Sequence, residues 1–377
     1  MQRRTFLKSL GALSVLTYMP RSWGQEQNAD QQGRLILVQL GGGNDSLNTF
    51  VPFTDASYYQ ARPNLAIAKE QVLAITNSLG LHPAMAPLMQ HWQSGEMALV
   101  EGLGYANPNR SHFRGYDIWH TASDAEEILS EGWLAQVMDL LPMSLDALVL
   151  SGSPGAFAGG ADLFNLAGQT DIASFSPAFM PSGSSDISSL QFILDSRAQY
   201  NASLESLESV LAQAPEPTVT FPNTAFGQQC ELISRLITGG LDAPLWHLSL
   251  GSFDTHANQA DEHAALLTEL AEGLAALCAA LKADEQWSDT TIASYSEFGR
   301  RVGENASLGT DHGTAASHFV LGGNVQGGLF GQRPSLTELD AGDLIFTTDF
   351  RHYYKSLLQK AGLPISAQLQ EYVSLGF

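Results

Sequence analysis

Apolar residues in this chain fall mostly into short unbroken runs rather than strict alternation. Six stand out: RLILVQL (34–40), MALVEGL (97–103), DALVLSG (146–152), PLWHLSL (244–250), TTIASYSEF (290–298) and HFVLGG (318–323). A continuous run of this length suits a strand covered on both faces, as in a parallel sheet flanked by helices. Between the runs the spacing becomes helical. HPAMAPLMQHWQSG (82–95) opens with Pro83 in a first turn and stops at Gly95. The stretch 186–214 is long and amphipathic. The stretch 257–284 sets Leu266, Leu267, Leu270, Leu274, Leu277 and Leu281 on one helical face. The stretch 348–362 ends with a basic turn and Gly362 as a cap. Strands alternating with helices predict an α/β domain with a largely parallel sheet. It spans 33–377 as one unit. The Gly-, Ser-, Ala- and Pro-rich stretch 151–186 breaks the pattern and reads as a loop or small cap insertion.

The first 24 residues do not belong to that fold. Arg3 and Arg4 stand side by side before a short apolar stretch from Leu10 to Met19. This is the form of a twin-arginine export signal, and it predicts a periplasmic or otherwise exported protein. That route carries proteins already folded, often around a metal or cofactor. The full chain has a net charge of -21. The leader holds four bases and no acid, so residues after it carry 14 bases against 39 acids, a net charge of -25. Such a surface repels nucleic acid and anionic lipid. No apolar run reaches the roughly 18 residues of a membrane span. An anionic substrate would need a locally positive site, which a bound dication can supply. The two cysteines, Cys230 and Cys278, form no zinc motif, and Cys278 falls in an apolar helical stretch as a core residue. A metal site must therefore draw on Asp, Glu, His and hydroxyls.

In a parallel α/β sheet, ligands bind beyond the carboxyl ends of the strands, so those ends are where chemistry is sought. After 34–40 comes GGGNDSLN. Asp45 there is a metal ligand on a glycine bend or an Asx cap of a tight turn, and the spacing does not match a dinucleotide fingerprint or a P-loop. After 97–103 comes ANPNRSHFRGYDIWH. Ser111 heads a helix, where it is either an N-cap or a nucleophile facing the positive end of the dipole, with Arg110 and Arg114 beside it to hold an anion. After 244–250, Asp254 and His256 are two residues apart and share one side of an extended segment. His263 reads as a packing or surface residue. After 290–298, Glu297 is followed by GTDHGTAASH (309–318). Asp311 and His312 would converge on a turn allowed by Gly309 and Gly313, and His318 is either a ligand or a satisfied strand histidine. Carboxylates and imidazoles at four strand ends suit one or two divalent ions, Zn or Mn, in a hydrolytic site, where two metals could clamp the attacking and leaving oxygens.

The twin-arginine start and the blocks GGGNDSLN, YYQARPNLAI, LGLHPAMAPL, GYANPNRSHFRGYDIWHTA, FDTHANQ, SEFGRR, GTDHGTAASHFVLGG and TDFRHYY resemble the bacterial domain-of-unknown-function 1501 family, in order along nearly the whole chain. That resemblance implies the three-layer α/β/α, alkaline-phosphatase-like fold of phosphatases and sulfatases. It implies Asp45, Asp254, His256, Asp311 and His312 as metal ligands and Ser111 as nucleophile. His318, or less readily His352, would complete a first metal site, and Glu297 is an alternative counterpart to Asp311. The implied function is an exported metal-dependent hydrolase of phosphate or sulfate esters or a related anionic small molecule or polymer. The alternative is a non-catalytic exported binding or assembly protein that works with a co-encoded exported protein. The middle pair departs from the pattern: it is Asp-x-His rather than Asp-x-x-x-His. The sulfatase Cys/Ser-x-Pro-x-Arg signature is absent, which disfavours a formylglycine sulfatase.

Overall fold

All six apolar runs contribute strands to one sheet. The computed structural model describes residues 33–141, 145, 147–150, 153–160, 163–166 and 184–377. The segment 1–24, expected to be an export signal, lies outside the described residues, as do parts of 151–186. In chain order the strands are β1 (Arg34–Leu40), β2 (Met97–Gly104), β3 (Ala147–Val149), β4 (Leu163–Asn165), β5 (Leu245–Leu250), β6 (Thr290–Tyr295), β7 (Ala316–Gly322), β8 (Gly328–Gly331) and β9 (Thr348–Asp349). They lie in the order β8-β2-β7-β6-β1-β5-β3-β4, with β9 against the end of β2. Every pairing is parallel except those of β7, which runs antiparallel to both β2 and β6.

The unbroken apolar runs have a simple cause. Successive side chains of a strand enter opposite faces, and here both faces are covered. Ile36, Val38 and Leu40 of β1 enter one core, while Leu35 and Leu37 enter the other. The first core is closed by α2 (Ser188–Gln213), α3 (Ala225–Thr238) and α4 (Gln259–Ala283), through residues such as Leu207, Ile233 and Leu274. The second is closed by α1 (His112–Thr121) and α5 (Phe350–Lys360), through Trp119, Tyr354 and Leu357. The architecture is three-layered α/β/α with a largely parallel sheet, as expected. Cys230 and Cys278 are both fully buried in the first core. Helix α4 is long and apolar enough to cross a membrane by length and composition, but its leucine face (Leu267, Leu270, Leu274, Leu277, Leu281) is spent on this core.

Two details differ from the sequence reading. Pro83–Leu88 is a 3-10 turn that becomes α-helical only from Met89, because Pro87 inside it has no N–H to donate. Residues 163–165 form the edge strand β4, and Ala156 and Ala158 accept backbone hydrogen bonds from Leu134 and Gly132.

The direction of β7 decides where the chemistry lies. The parallel strands β1, β2, β5 and β6 deliver their carboxyl ends to one edge. Because β7 is reversed, its amino end reaches that same edge. The segments after β1, β2, β5 and β6 and the segment before β7 therefore meet there.

Candidate metal centre

Four side chains converge at this edge: His112 at the first position of α1, Asp254 and His256 after β5, and His312 before β7. Asp254 Oδ1 lies 2.9 Å from His256 Nε2 and 3.0 Å from His312 Nε2, and Asp254 Oδ2 lies 3.3 Å from His112 Nε2. His256 Nε2 and His312 Nε2 are 2.9 Å apart. Ligand atoms of His112, Asp254 and His312 lie within 4.8 Å of one another. His112 Nε2 makes no well-angled hydrogen bond to its carboxylate neighbour, and with the Nδ1 of His312 and of His256 each beside an oxygen acceptor, both of their Nε2 atoms carry lone pairs in the neutral rings. The Nε2 atoms of His112, His256 and His312 thus gather around the Asp254 carboxylate.

The far side of each ring is anchored. His112 Nδ1 is 2.7 Å from Glu297 Oε1, His312 Nδ1 is 2.8 Å from the Arg110 carbonyl, and His256 Nδ1 is 3.4 Å from Asp311 Oδ1. A metal-bound histidine characteristically gives its outer N–H to a carboxylate or carbonyl, which fixes the ring and the tautomer. Here that partner is in place for all three. The Phe298 ring packs against both His112 and His312, at centroid distances of 4.8 and 4.7 Å. Asp254 and His256 are exposed by nearly half, so the centre opens to solvent.

The electrostatics keep Asp254 ionised. Burial works against its charge, but the Arg300 guanidinium at 2.6 Å, with His312 and His256, holds its pKa down at about 2. The bond to Glu297 raises the pKa of His112 above its ordinary value, against the pull of burial. Burial also opposes Glu297, which is nevertheless lowered, chiefly by His112.

The predicted residues are thus sorted. Asp254, His256 and His312 come together. Glu297 does not face the centre: it is fully buried behind His112, and its Oε1 also accepts the Gly42 N–H at 2.9 Å. Asp311 stands behind His256. Asp311 and His312 do not converge on a turn. They are extended, paired antiparallel with 299–301 through Arg301 N–H to Asp311 O and Gly313 N–H to Gly299 O, so their side chains leave on opposite sides. Gly309 and Gly313 serve close packing instead, since a Cβ on either would fall 2.2 and 2.4 Å from the backbones of His256 and Arg300. Asp45 is outside the cluster, bound by Arg62 and Gln259. His318 lies within β7, buried against Trp119 and Tyr353, with its pKa lowered to about 3 by burial. His352 is on α5, bonded to Val373. His263 is an internal packing histidine, Nε2 to Asn44 Oδ1 at 2.9 Å.

Ser111 is exposed at the N-cap of α1, next to His112, and its hydroxyl makes no capping bond. Arg114 is committed to the carbonyls of Asp124, Ala125 and Glu127 and cannot also hold a ligand without releasing that loop. Arg110 stays at the rim. Its Nη2 forms an ion pair with the buried Asp343 at 3.0 Å, and Arg301 approaches the other Asp343 oxygen at 3.6 Å.

Sequence reasoning missed His112, Arg300 and Arg301. The signal for His112 was present: an imidazole at the first turn of a helix following a strand's carboxyl end.

Glycine is required at position 42. Its φ is +114°, and a Cβ there would sit 2.5 Å from the Asp254 amide nitrogen. Gly42→Ala is expected to destabilise the protein by at least about 1–3 kcal/mol and to disturb Glu297 and Asp254 together. Denaturant unfolding of the variant checks this, and an unchanged midpoint would contradict it.

Among solved structures the chain is similar to an alkaline phosphatase superfamily protein from Vibrio parahaemolyticus (11% identity, covering 98% of this chain and 78% of that one, TM-score 0.43). It is similar to a phosphonate monoester hydrolase from Silicibacter pomeroyi (11% identity, 92% and 76% covered, TM-score 0.44). It is also similar to the PsFucS1 sulfatase from Pseudoalteromonas sp. (10% identity, 88% and 68% covered, TM-score 0.41). No curated protein matches the sequence. Residues 178–352, a little under half of the chain, match the family described as "Protein of unknown function (DUF1501)".

Proposed function

We propose that the protein is a metal-dependent hydrolase of phosphate or sulfate esters, or of a related anionic substrate. The observation that carries this reading is the set of three imidazoles, each with its outer nitrogen anchored and its Nε2 turned toward the ionised Asp254. Two or three nitrogens and a carboxylate oxygen are a donor set suited to Zn or Mn, and the residues fit such an ion. When bound, a dication would supply a Lewis acid and lower the pKa of a coordinated hydroxyl or water. The half-exposed Asp254 and His256 leave the centre accessible, as a catalytic rather than a closed structural site requires.

The chain's own residues define the rest. Glu297 and the Arg110 carbonyl hold His112 and His312 in register. Ser111, free of a capping bond, presents its hydroxyl beside His112 at the positive end of α1 as the nucleophile. Arg110 and Arg301 share one carboxylate, Asp343, so the rim they form retains net positive charge for an anionic group. The paired arginines of the leader support a working place outside the cytoplasm by the twin-arginine route, with a co-encoded exported protein as a candidate partner.

The test is turnover of phosphate and sulfate esters by the Zn- or Mn-loaded protein. Ser111→Ala is expected to lose roughly three orders of magnitude or more in kcat while keeping its metal. Turnover equal to wild type would remove Ser111 from the reaction. Absence of metal in the wild-type protein would remove the hydrolase reading itself and favour the binding-protein alternative.

A further inference from the structure

The resemblance names Asp45 as a ligand of one or two ions, but Asp45 is met by the Arg62 guanidinium, and a second guanidinium, Arg300, binds the nearby Gly42 and Gly43 carbonyls. Asp45 is buried, and its Oδ2 accepts from Arg62 Nη1 at 2.6 Å and from Gln259 Nε2 at 2.5 Å. Arg62 is itself fully buried, and it donates also to the Val302 carbonyl (2.9 Å), Asn48 Oδ1 (2.8 Å) and the Arg301 carbonyl (2.9 Å). It is therefore built in rather than resting at an empty site. On the side facing the metal cluster stands Arg300, also fully buried. It donates to Asp254 Oδ1 (2.6 Å) and to the carbonyls of Gly43 (2.7 Å), Thr310 (2.8 Å), Phe253 (3.1 Å) and Gly42.

A dication placed against Asp45 would face fixed positive charge at contact distance in a medium of low dielectric. The ligands it would need are also committed. Asp45 Oδ1 is unpartnered, but the nearby His263 turns its Nε2 to Asn44 Oδ1, and Glu297 is bound by His112 and Gly42. Among the described residues, the only convergence of three or more His, Cys, Asp or Glu groups is the one around Asp254.

We propose that the centre is mononuclear: it takes one divalent cation at His112, Asp254, His256 and His312, and Arg62 and Arg300 fill the electrostatic place of a second. This rests on the metal-centre reading above for its first cation. It makes Arg300 a positioning residue, one that fixes Asp254 and balances its charge without reaching substrate. The substrate class follows from the same arrangement. Without a second ion to hold the leaving oxygen, the remaining anionic charge falls to the Arg110–Arg301 rim.

The full chain is stripped with chelator and titrated with Mn2+ alone, counting bound ions by elemental analysis and recording the electron paramagnetic resonance spectrum. One tight equivalent with an uncoupled six-line signal is expected. Two equivalents with an exchange-coupled signal, the mark of ions about 4 Å apart, would overturn the mononuclear assignment and leave the metal centre standing. No tight binding would overturn both. Asp45→Asn provides a second measurement: it should still bind one equivalent with unchanged affinity, and a loss of Mn2+ by the folded variant would overturn the proposal. If that variant does not fold, the wild-type count decides.

Discussion

Acidification from pH 7 to pH 5 is expected to remove a large share of this protein's stability, well before its carboxylates titrate. Burial favours the neutral form of several histidines, among them His120, His247, His263 and His318. Burial lowers their pKa values to about 4, 3, 4 and 3 respectively. His247 and His120 share the Tyr295 hydroxyl, at 2.9 and 3.3 Å. His318 Nε2 has no hydrogen-bond partner. In the unfolded chain each would titrate near 6.5, so between about pH 6.5 and pH 4 the unfolded state binds more protons than the native state. The stability these groups contribute is complete above pH 6.5 and is lost as pH falls toward their native pKa values. Each costs about 2 kcal/mol between pH 7 and pH 5, and the four together on the order of 7 kcal/mol. Typical total stabilities are about 5–15 kcal/mol.

Calorimetry across pH 4.5–7.5 tests this directly. A melting temperature flat over that range would defeat it. The attribution has its own control. His318→Met removes a titrating group whose Nε2 bonds nothing and whose Nδ1 has only a 3.5 Å contact with Ser294. It should fold and flatten the pH dependence by about one proton. Below pH 4 the carboxylates with lowered pKa, Asp45 and Glu297 among them, add to the loss in the same direction.

Arg300→Met is expected to cost about 3–5 kcal/mol and to weaken metal binding by roughly 10–100-fold. The arginine joins three strand-end segments, at 42–43, 253–254 and 310, through their carbonyls. Its removal takes the donor from the Gly42, Gly43 and Thr310 carbonyls and frees Asp254. Arg300→Lys keeps the charge but not the planar fork, so it should recover only part of either loss. Denaturant unfolding and a metal titration read the two effects separately. A variant with wild-type stability and metal affinity would show that Arg300 is a bystander.

The architecture was largely legible in the sequence. Runs such as RLILVQL and PLWHLSL are continuously apolar because each strand faces two cores, and that signature is local. Part of the site was equally local. Asp254 and His256 act as a pair because two residues of extended chain put them on one side, and three glycines after β1 announced a bend. His112 was hidden because a histidine beside a helix-capping serine has many uses. Only the placement of β2 and β6 in the sheet brings Glu297, 185 residues away, to its Nδ1. Asp45 looked like a ligand for the opposite reason. Its sequence neighbourhood is that of a site, and the packing of Arg62 against it is a tertiary fact. His318 followed the same rule: whether a strand histidine faces an edge or a core depends on which way the strand runs.

Composition and spacing by themselves determined the class of fold, the edge where ligands would gather, and the kinds of side chain available there. Tertiary structure alone decided which of them meet. It reversed β7, so that His312 arrives at the same edge as His112 and Asp254, and it inserted two arginines where sequence placed only a carboxylate. The physical reason is one of range. Hydrophobic periodicity is written in consecutive residues, whereas an ion pair or a ligand set is fixed by the sum of every contact that brings distant segments together.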